Sequence, residues 1–285
     1  MTEFSIIPKQ LKARNSIEHS QKIPRIIWQT MKTNRVPVYM KSYADSWIGL
    51  NPEYEYRFLD DNDIIDFIKK DFPEYLDGYK RLKYGASKAD LWRYLIIYKN
   101  GGVYADMDCK CLKPLNEWID PQAAFVTQLG INKDICQWLI ISVPKNPIFL
   151  KAAQKTLSNS ENNNDTISHF GFEYVQNKLV ICKNSPVMIF DHPVLGLSGP
   201  PVLQKAAEEC FEEGTIDRIL TSTQITCISD SINSCQMNGN VIHDTRNIKY
   251  KKTLKQLNII HYNTRWERLK RYLTNFTFFF ILVYF

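Results

Sequence analysis

The stretch "YKNGGVYADMDCK", Tyr98 to Lys110, constrains what this chain can fold into more than any other. A helical pattern over about Ser87 to Lys99 stops at Asn100-Gly101-Gly102, where glycine tolerates the left-handed geometry of a helix end. The apolar strand "VYAD" follows with no intervening loop and closes on two aspartates, Asp106 and Asp108. In open α/β sheets ligands collect at the carboxyl ends of strands, which is where this pair falls.

The neighbouring segments supply the sheet. "IPRIIWQT" from Ile23 reads as a buried first strand and "YEYRFLD" as a second, with Tyr54, Tyr56 and Phe58 on one face. Between them, "VPVYMKSYADSWIGLNP" reads as a helix with Tyr43, Trp47 and Leu50 on one side. "DDNDIIDFIKKDFP" opens another helix on capping aspartates. Further apolar runs lie near Ala123–Gln128 and Trp138–Val143, with helices near Pro147–Leu157 and over "GPPVLQKAAEECFEEG". The polar "SNSENNNDT" reads as a surface loop. This order predicts an α/β fold with a mainly parallel mixed sheet flanked by helices. The expected division is a loosely held polar arm over 1–22, one nucleotide-binding domain over 23–266, and a tail over 267–285.

Charge is uneven. Between Arg246 and Arg271 nine Lys/Arg face one acid, Glu267, so that segment carries +8 of the net +6 and the remainder about −2. The tail then runs apolar from Phe276 to Phe285. Ten residues are too few to span a bilayer as a helix, which leaves core packing or a peripheral contact with anionic lipid. Seven cysteines without CxxC spacing point to reduced thiols rather than a disulfide framework, and the five histidines show no zinc spacing. No apolar signal-peptide core opens the chain. A cytoplasmic protein, peripheral on the cytoplasmic membrane face, is the expectation. No nucleic-acid module is recognised in the basic tail.

Two carboxylates one residue apart in an extended segment point to opposite faces, so divided labour is expected. One accepts hydrogen bonds from a ligand hydroxyl; the other reaches a hard cation, for which oxygen ligands favour Mg²⁺ or Mn²⁺. By itself Asp-x-Asp also fits a capped turn. Asp90 and Arg93 add to it, because three-residue spacing puts them on one face of the preceding helix. Flanked by Trp92 and Tyr94, that helix is expected to be buried, where an ion pair without a ligand is costly.

"IPRIIWQT", "SWIGLNPEYEYRFLDD", "ASKADLWRYLIIYKNGGVYADMDCKCLKPL", "GLSGP" and "HYNTRW" together resemble the Asp-x-Asp sugar-transferase family, glycosyltransferase family 32. That family includes initiating α-1,6-mannosyltransferases, inositol-phosphoceramide mannosyltransferases and bacterial capsule enzymes. The resemblance implies a GT-A-like fold and a retaining, metal-dependent transfer of a hexose from a UDP- or GDP-sugar to a glycan or glycolipid acceptor. It implies that Asp90 and Arg93 hold the donor sugar, that Tyr104 and Asp106 lie near sugar and ribose, and that Trp28 lies near the base. Asp108 matches the metal carboxylate. His261, Thr264 and Trp266 match a closing segment that completes the metal and diphosphate site, and Leu197 to Pro200 matches a turn beside the acceptor pocket. Two other readings stay open: a non-catalytic sugar-binding protein, and a HAD-type phosphatase, whose motif belongs near the start of a chain and is not followed by cysteine.

Overall fold

The computed structural model describes residues 3–15, 21–129, 135–162, 197–216, 225–227, 234–237 and 240–244. All of these fall within one compact unit, Met1–Arg246. The second unit, Asn247–Phe285, lies outside the described residues, and with it His261, Thr264, Trp266 and the apolar tail.

Six strands form the main sheet. β3 (Ile26–Thr30) lies at its centre, parallel to β5 (Glu55–Leu59) on one side and to β6 (Gly102–Ala105) on the other. Beyond β6 come β9 (Ile135–Ser142) and β8 (Phe125–Leu129), both antiparallel to their neighbours. β2 (Gln10–Leu11) closes the opposite edge, antiparallel to β5. The sheet is therefore mixed, and its parallel part is confined to three strands, less than the alternating strand and helix pattern suggested. The antiparallel half arises because β8 and β9 follow β6 without a crossover helix of the kind that parallel pairing requires. A second sheet of four strands pairs β7 (Lys110–Cys111) with β12 (Asn240–Asp244), which continues to β11 (Ser234–Met237) and β10 (Ile225–Cys227).

Residues 1–22 are not a loose arm in their described part. β1 (Phe4–Ile6) pairs antiparallel with β4 (Arg35–Pro37), and the side chain of Ile7 is wholly buried. The Arg35 guanidinium lies 4.6 Å from the centre of the Phe4 ring, and Lys9 reaches Asp60 and Asp63 at 2.8 and 2.7 Å. The few apolar residues in an otherwise polar segment are enough, because each strand satisfies its backbone against an existing edge.

The expected helices form. α2 (Asp61–Asp71) opens on a capping box in which the Asp60 carboxylate accepts from the Asn62 and Asp63 amides, while Asp63 accepts from the Asp60 amide. α1 (Val38–Leu50) buries Met40, Ala44 and Trp47, not the Tyr43–Trp47–Leu50 face. Both triplets have helical spacing; packing against β1, β4 and β7 selects the stripe. α5 (Pro147–Asn162) runs through Ser158 to Asn162, into the stretch expected to be loop. α3 (Leu76–Arg81) and α6 (Pro200–Glu212) complete the set described here, together with α4.

α4 (Gly85–Asn100) is the helix that leads into β6. It is buried nearly all round, from Ser87 through Ile97, and so lacks a single apolar stripe. It packs on α5, β6 and β9. The corner after it depends on Gly101 and Gly102, at φ +63° and +99°. A Cβ on Gly102 would sit 2.6 Å from the Ile26 carbonyl oxygen and 3.1 Å from Trp28 Nε1. Positive φ and a backbone collision act together there, so Gly102→Ala is expected to destabilise the protein by more than about 2 kcal/mol. Chemical denaturation checks this, and a variant of unchanged midpoint would refute the close-packed corner.

Candidate functional site

β6 carries the chain to the carboxyl edge of the sheet beside β3, and the two aspartates follow its last residue. They do not alternate along a strand. Asp106 to Cys109 forms a β-turn in which the Cys109 amide donates to the Asp106 carbonyl at 3.0 Å. The expectation of opposite faces fails because the strand ends at Ala105; within a turn the two carboxylates are near enough for one to perturb the other. The turn is held from three sides. The Asp106 amide donates to the Trp138 carbonyl, Trp47 Nε1 donates to the Cys109 carbonyl, and the Cys111 amide donates to Ser46 Oγ, at 2.8 to 2.9 Å. Asn51, at the end of α1, accepts from the Leu115 amide. The "SWIGLN" segment thus serves as the clamp on the chain that leaves the aspartates.

Asp90 and Arg93 are buried, 3 % and 6 % exposed. Arg93 Nη2 lies 3.2 Å from Asp90 Oδ1 and 3.2 Å from Asp106 Oδ1, and Nη1 donates to the Gln137 carbonyl at 2.7 Å. Its guanidinium stacks 4.4 Å from the centre of the Tyr104 ring. The Tyr104 hydroxyl donates to Asp106 Oδ1. Asp106 is the open end of this chain, its side chain 30 % exposed. The structure therefore brings together Asp90, Arg93, Tyr104, Asp106 and Asp108.

Trp28 behaves differently. It is 6 % exposed and its indole N–H donates to the Gly101 carbonyl at 2.9 Å. The indole belongs to the core cluster, and its polar handle points toward the helix corner. Its large apolar area fills the layer between sheet and α4.

The electrostatics follow from burial. Desolvation raises the Asp90 carboxyl to about 6, against the opposing pull of Arg93, Ser198 and Gln137. Burial alone would lower Arg93, but the negative field of Asp106, with Tyr104 and Asp90, outweighs it and holds the guanidinium charged. Burial, then the nearby Asp106 charge, pushes Asp108 up to about 7. Among the described residues no Lys, Arg or His forms an ion pair with Asp108; the Cys109 thiol lies 3.9 Å from its Oδ1. Cys109, Cys111, Cys136 and Cys210 are buried in the core.

Gln137 escaped the sequence reading, and Ser198 entered it only as part of the Leu197 to Pro200 turn. Gln137 lies in the apolar run of β9, where its Nε2 donates to Asp90 Oδ1 at 2.6 Å and its Oε1 accepts from the Tyr94 hydroxyl at 2.9 Å. A glutamine inside "ICQWLIIS" was the only available signal, since a buried amide needs partners. Ser198, in the turn that opens α6, donates to Asp90 Oδ2 at 2.7 Å, so that turn is fastened to the site itself.

The residues fit a divalent cation in donor chemistry. Asp108 is an oxygen ligand in a partly desolvated place with no ion pair among the described residues, which suits a hard ion that keeps water and phosphate oxygens in its shell. No cluster of three or more His, Cys, Asp or Glu able to hold an ion occurs among the described residues, so a bound ion would rely on ligands beyond them.

A GT-A-like glycosyltransferase fold is defined by this mixed sheet, its carboxyl-edge aspartate turn and the flanking helices. Residues 37–125 match the family described as the glycosyltransferase sugar-binding region containing the DXD motif. Mannosyl phosphorylinositol ceramide synthase SUR1 of Saccharomyces cerevisiae is 38 % identical over 138 residues, covering 46 % of this chain and 34 % of that protein. Inositol phosphoceramide mannosyltransferase 3 of Schizosaccharomyces pombe is 41 % identical over 102 residues, covering 36 % and 28 %. The chain thus spans about a third of the length of these curated relatives. Among solved structures, the UDP-bound glycosyltransferase domain from the YGT toxin shares the fold with a TM-score of 0.50 at 9 % identity, over 68 % of this chain and 79 % of that one.

A raised carboxyl binds protons more tightly in the folded than in the unfolded chain, so it withdraws stability as pH rises from about 4 to its folded value. For Asp108 the window ends near 7, and the slope is at most about 1.4 kcal/mol per pH unit for one group. In chelator, Asp108→Asn is therefore expected to flatten the fall in melting temperature between pH 5 and 7.5. Manganese added at pH 7.5 should raise the melting temperature of the parent and not of the variant. Equal responses in the two proteins would show that Asp108 is not the cation's carboxylate.

Proposed function

We propose that this protein is a retaining glycosyltransferase that moves a hexose from a UDP- or GDP-sugar, with Mn²⁺ or Mg²⁺ bound at Asp108. The observation that carries the reading is the division of the aspartate pair. Asp106 is bound inward to Arg93 and Tyr104, while Asp108 forms no ion pair among the described residues and is raised to about 7.

In glycosyl transfer the bond from the anomeric carbon to the diphosphate oxygen breaks and a bond to the acceptor oxygen forms. The sugar passes through an oxocarbenium-like state as negative charge develops on the leaving group. A divalent ion supplies charge neutralisation at that diphosphate. The chain's own residues do the rest. The Arg93 guanidinium, permanently charged and preorganised among Asp90, Asp106 and Gln137, places a fixed positive field beside the reacting sugar. Asp106, partly exposed, offers its carboxylate to a ligand hydroxyl. Neither places a free carboxylate as a covalent nucleophile, since Asp90 is enclosed and Asp106 is held by Arg93 and Tyr104. Front-face attack, with the acceptor proton passing to the leaving phosphate, is the mechanism consistent with that arrangement.

The acceptor is proposed to be a glycan or glycolipid, on the strength of relatives named mannosyl phosphorylinositol ceramide synthase and inositol phosphoceramide mannosyltransferase. No helix among the described residues is long and apolar enough to cross a membrane. The basic stretch before the apolar tail is proposed to rest on an anionic membrane surface, peripherally.

The test is a panel of UDP- and GDP-sugars, scored for Mn²⁺-dependent release of nucleotide. One donor should turn over, and Asp108→Asn should lower that rate at least about 100-fold, the scale of losing a preorganised charge at the leaving group. Full activity in the variant, or turnover indifferent to chelator, would overturn the assignment.

A further inference from the structure

We propose that Gln137 and Ser198 are positioning residues for this reaction: by clamping both oxygens of Asp90 they aim the Arg93 guanidinium at Asp106. The inference rests on the glycosyltransferase reading above and extends it to two residues in segments remote from the aspartate turn.

Arg93 is a long side chain, and α4 alone cannot set the direction of its guanidinium. The structure sets it with three acceptors, Asp90 Oδ1, Asp106 Oδ1 and the Gln137 carbonyl. Arg93 Nε has no hydrogen-bond partner, so these contacts through the two terminal nitrogens, with the Tyr104 ring against the face, define the plane of the group. Asp106 is partly exposed and ends in a turn; the rigid end of the chain has to be Asp90.

Asp90 is in turn fixed by the protein. Its Oδ1 receives Gln137 Nε2 at 2.6 Å in addition to Arg93, and its Oδ2 receives Ser198 Oγ at 2.7 Å. Three donors on a carboxylate with about four acceptor sites leave it almost saturated. With 3 % exposure, it is fixed by the protein and in turn fixes Arg93. Tyr94 ties the two clamps to each other. Its hydroxyl lies 2.9 Å from Gln137 Oε1 and 2.7 Å from the Ser198 carbonyl, sharing one proton between two acceptors.

The result is a closed ring from α4 to β9 to the turn before α6 and back. The same turn, Leu197 to Pro200, is the one whose sequence resembles an acceptor-side element. The ring therefore fastens the backbone of that turn to the side chains that face the donor.

The ionised form of Asp90 is the one these donors favour, so their removal shifts its titration upward. The charged and titratable groups facing Asp90 are Arg93 and Tyr94 on its own helix, Tyr104 on β6 and Asp106 just beyond it; Gln137 and Ser198 do not ionise. A residue that merely fills space would leave that titration where it is.

Gln137→Met, which keeps length without hydrogen bonds, and Ser198→Ala are the test variants, assayed with the donor that the parent turns over. Each is expected to lower kcat about tenfold or more and to move the acid limb of the kcat profile up by about one pH unit, the effect of one lost hydrogen bond to a charged group. Dissociation constants for UDP or GDP in Mn²⁺ should stay within about twofold of the parent, because the clamps do not touch the cation carboxylate. Turnover in the parent with unshifted pH profiles in both variants overturns the positioning role and leaves the proposed function standing. No turnover by the parent with any donor overturns the proposed function. The ring is then decided by thermal unfolding of Gln137→Met with and without Asp90→Asn: equal losses in the two backgrounds overturn the clamp, and a smaller loss in the Asp90→Asn background upholds it.

Discussion

The buried guanidinium of Arg93 is the interaction on which the rest of this architecture depends. A permanent positive charge enclosed between a helix and a sheet is tolerable only if negative and polar groups surround it in good geometry. Here Asp90, Asp106 and the Gln137 carbonyl do so, and the Tyr104 ring lies against its face. Each of those partners sits on a different element or turn. The requirement to satisfy one charge thus links α4, β6, β9 and the aspartate turn in a single geometry.

That linkage explains why the corner between α4 and β6 is so tight. The helix must end and the strand begin within two residues for Asp90 and Arg93 to lie against Tyr104 and Asp106. Gly101 and Gly102 permit it, and Trp28 seals it by donating to the Gly101 carbonyl. The tryptophan is thereby tied to the backbone that leads to the aspartates. It holds the corner, and the corner sets the distance between the two halves.

How much of this could be read along the chain differs from residue to residue. Asp90 and Arg93 were legible because helical spacing and an apolar context are local properties. The capping box at Asp60 and the alternation of Tyr54, Tyr56 and Phe58 were legible for the same reason. The strand pairing of the first eleven residues was not, since polar composition says nothing about an open sheet edge waiting for a partner. Strand alternation also misled at Asp106 and Asp108: only the end of β6 at Ala105 and the bond from Cys109 to Asp106 show that a turn has replaced it. Gln137 and Ser198 meet Asp90 across 47 and 108 positions of chain, a separation no periodicity reports.

By itself the sequence determined the order of elements, the place where a helix must turn directly into a strand, and the presence of two carboxylates at that strand's end. Those follow from backbone freedom at glycine, side-chain periodicity and capping chemistry, all of which act over a few residues. Only the tertiary structure decided which carboxylate is bound to Arg93 and which forms no ion pair among the described residues. It also decided that Trp28 faces the core and that the turn at Ser198 closes on Asp90. Hydrogen-bond satisfaction and desolvation depend on what surrounds a group in space, and distant segments supply those surroundings.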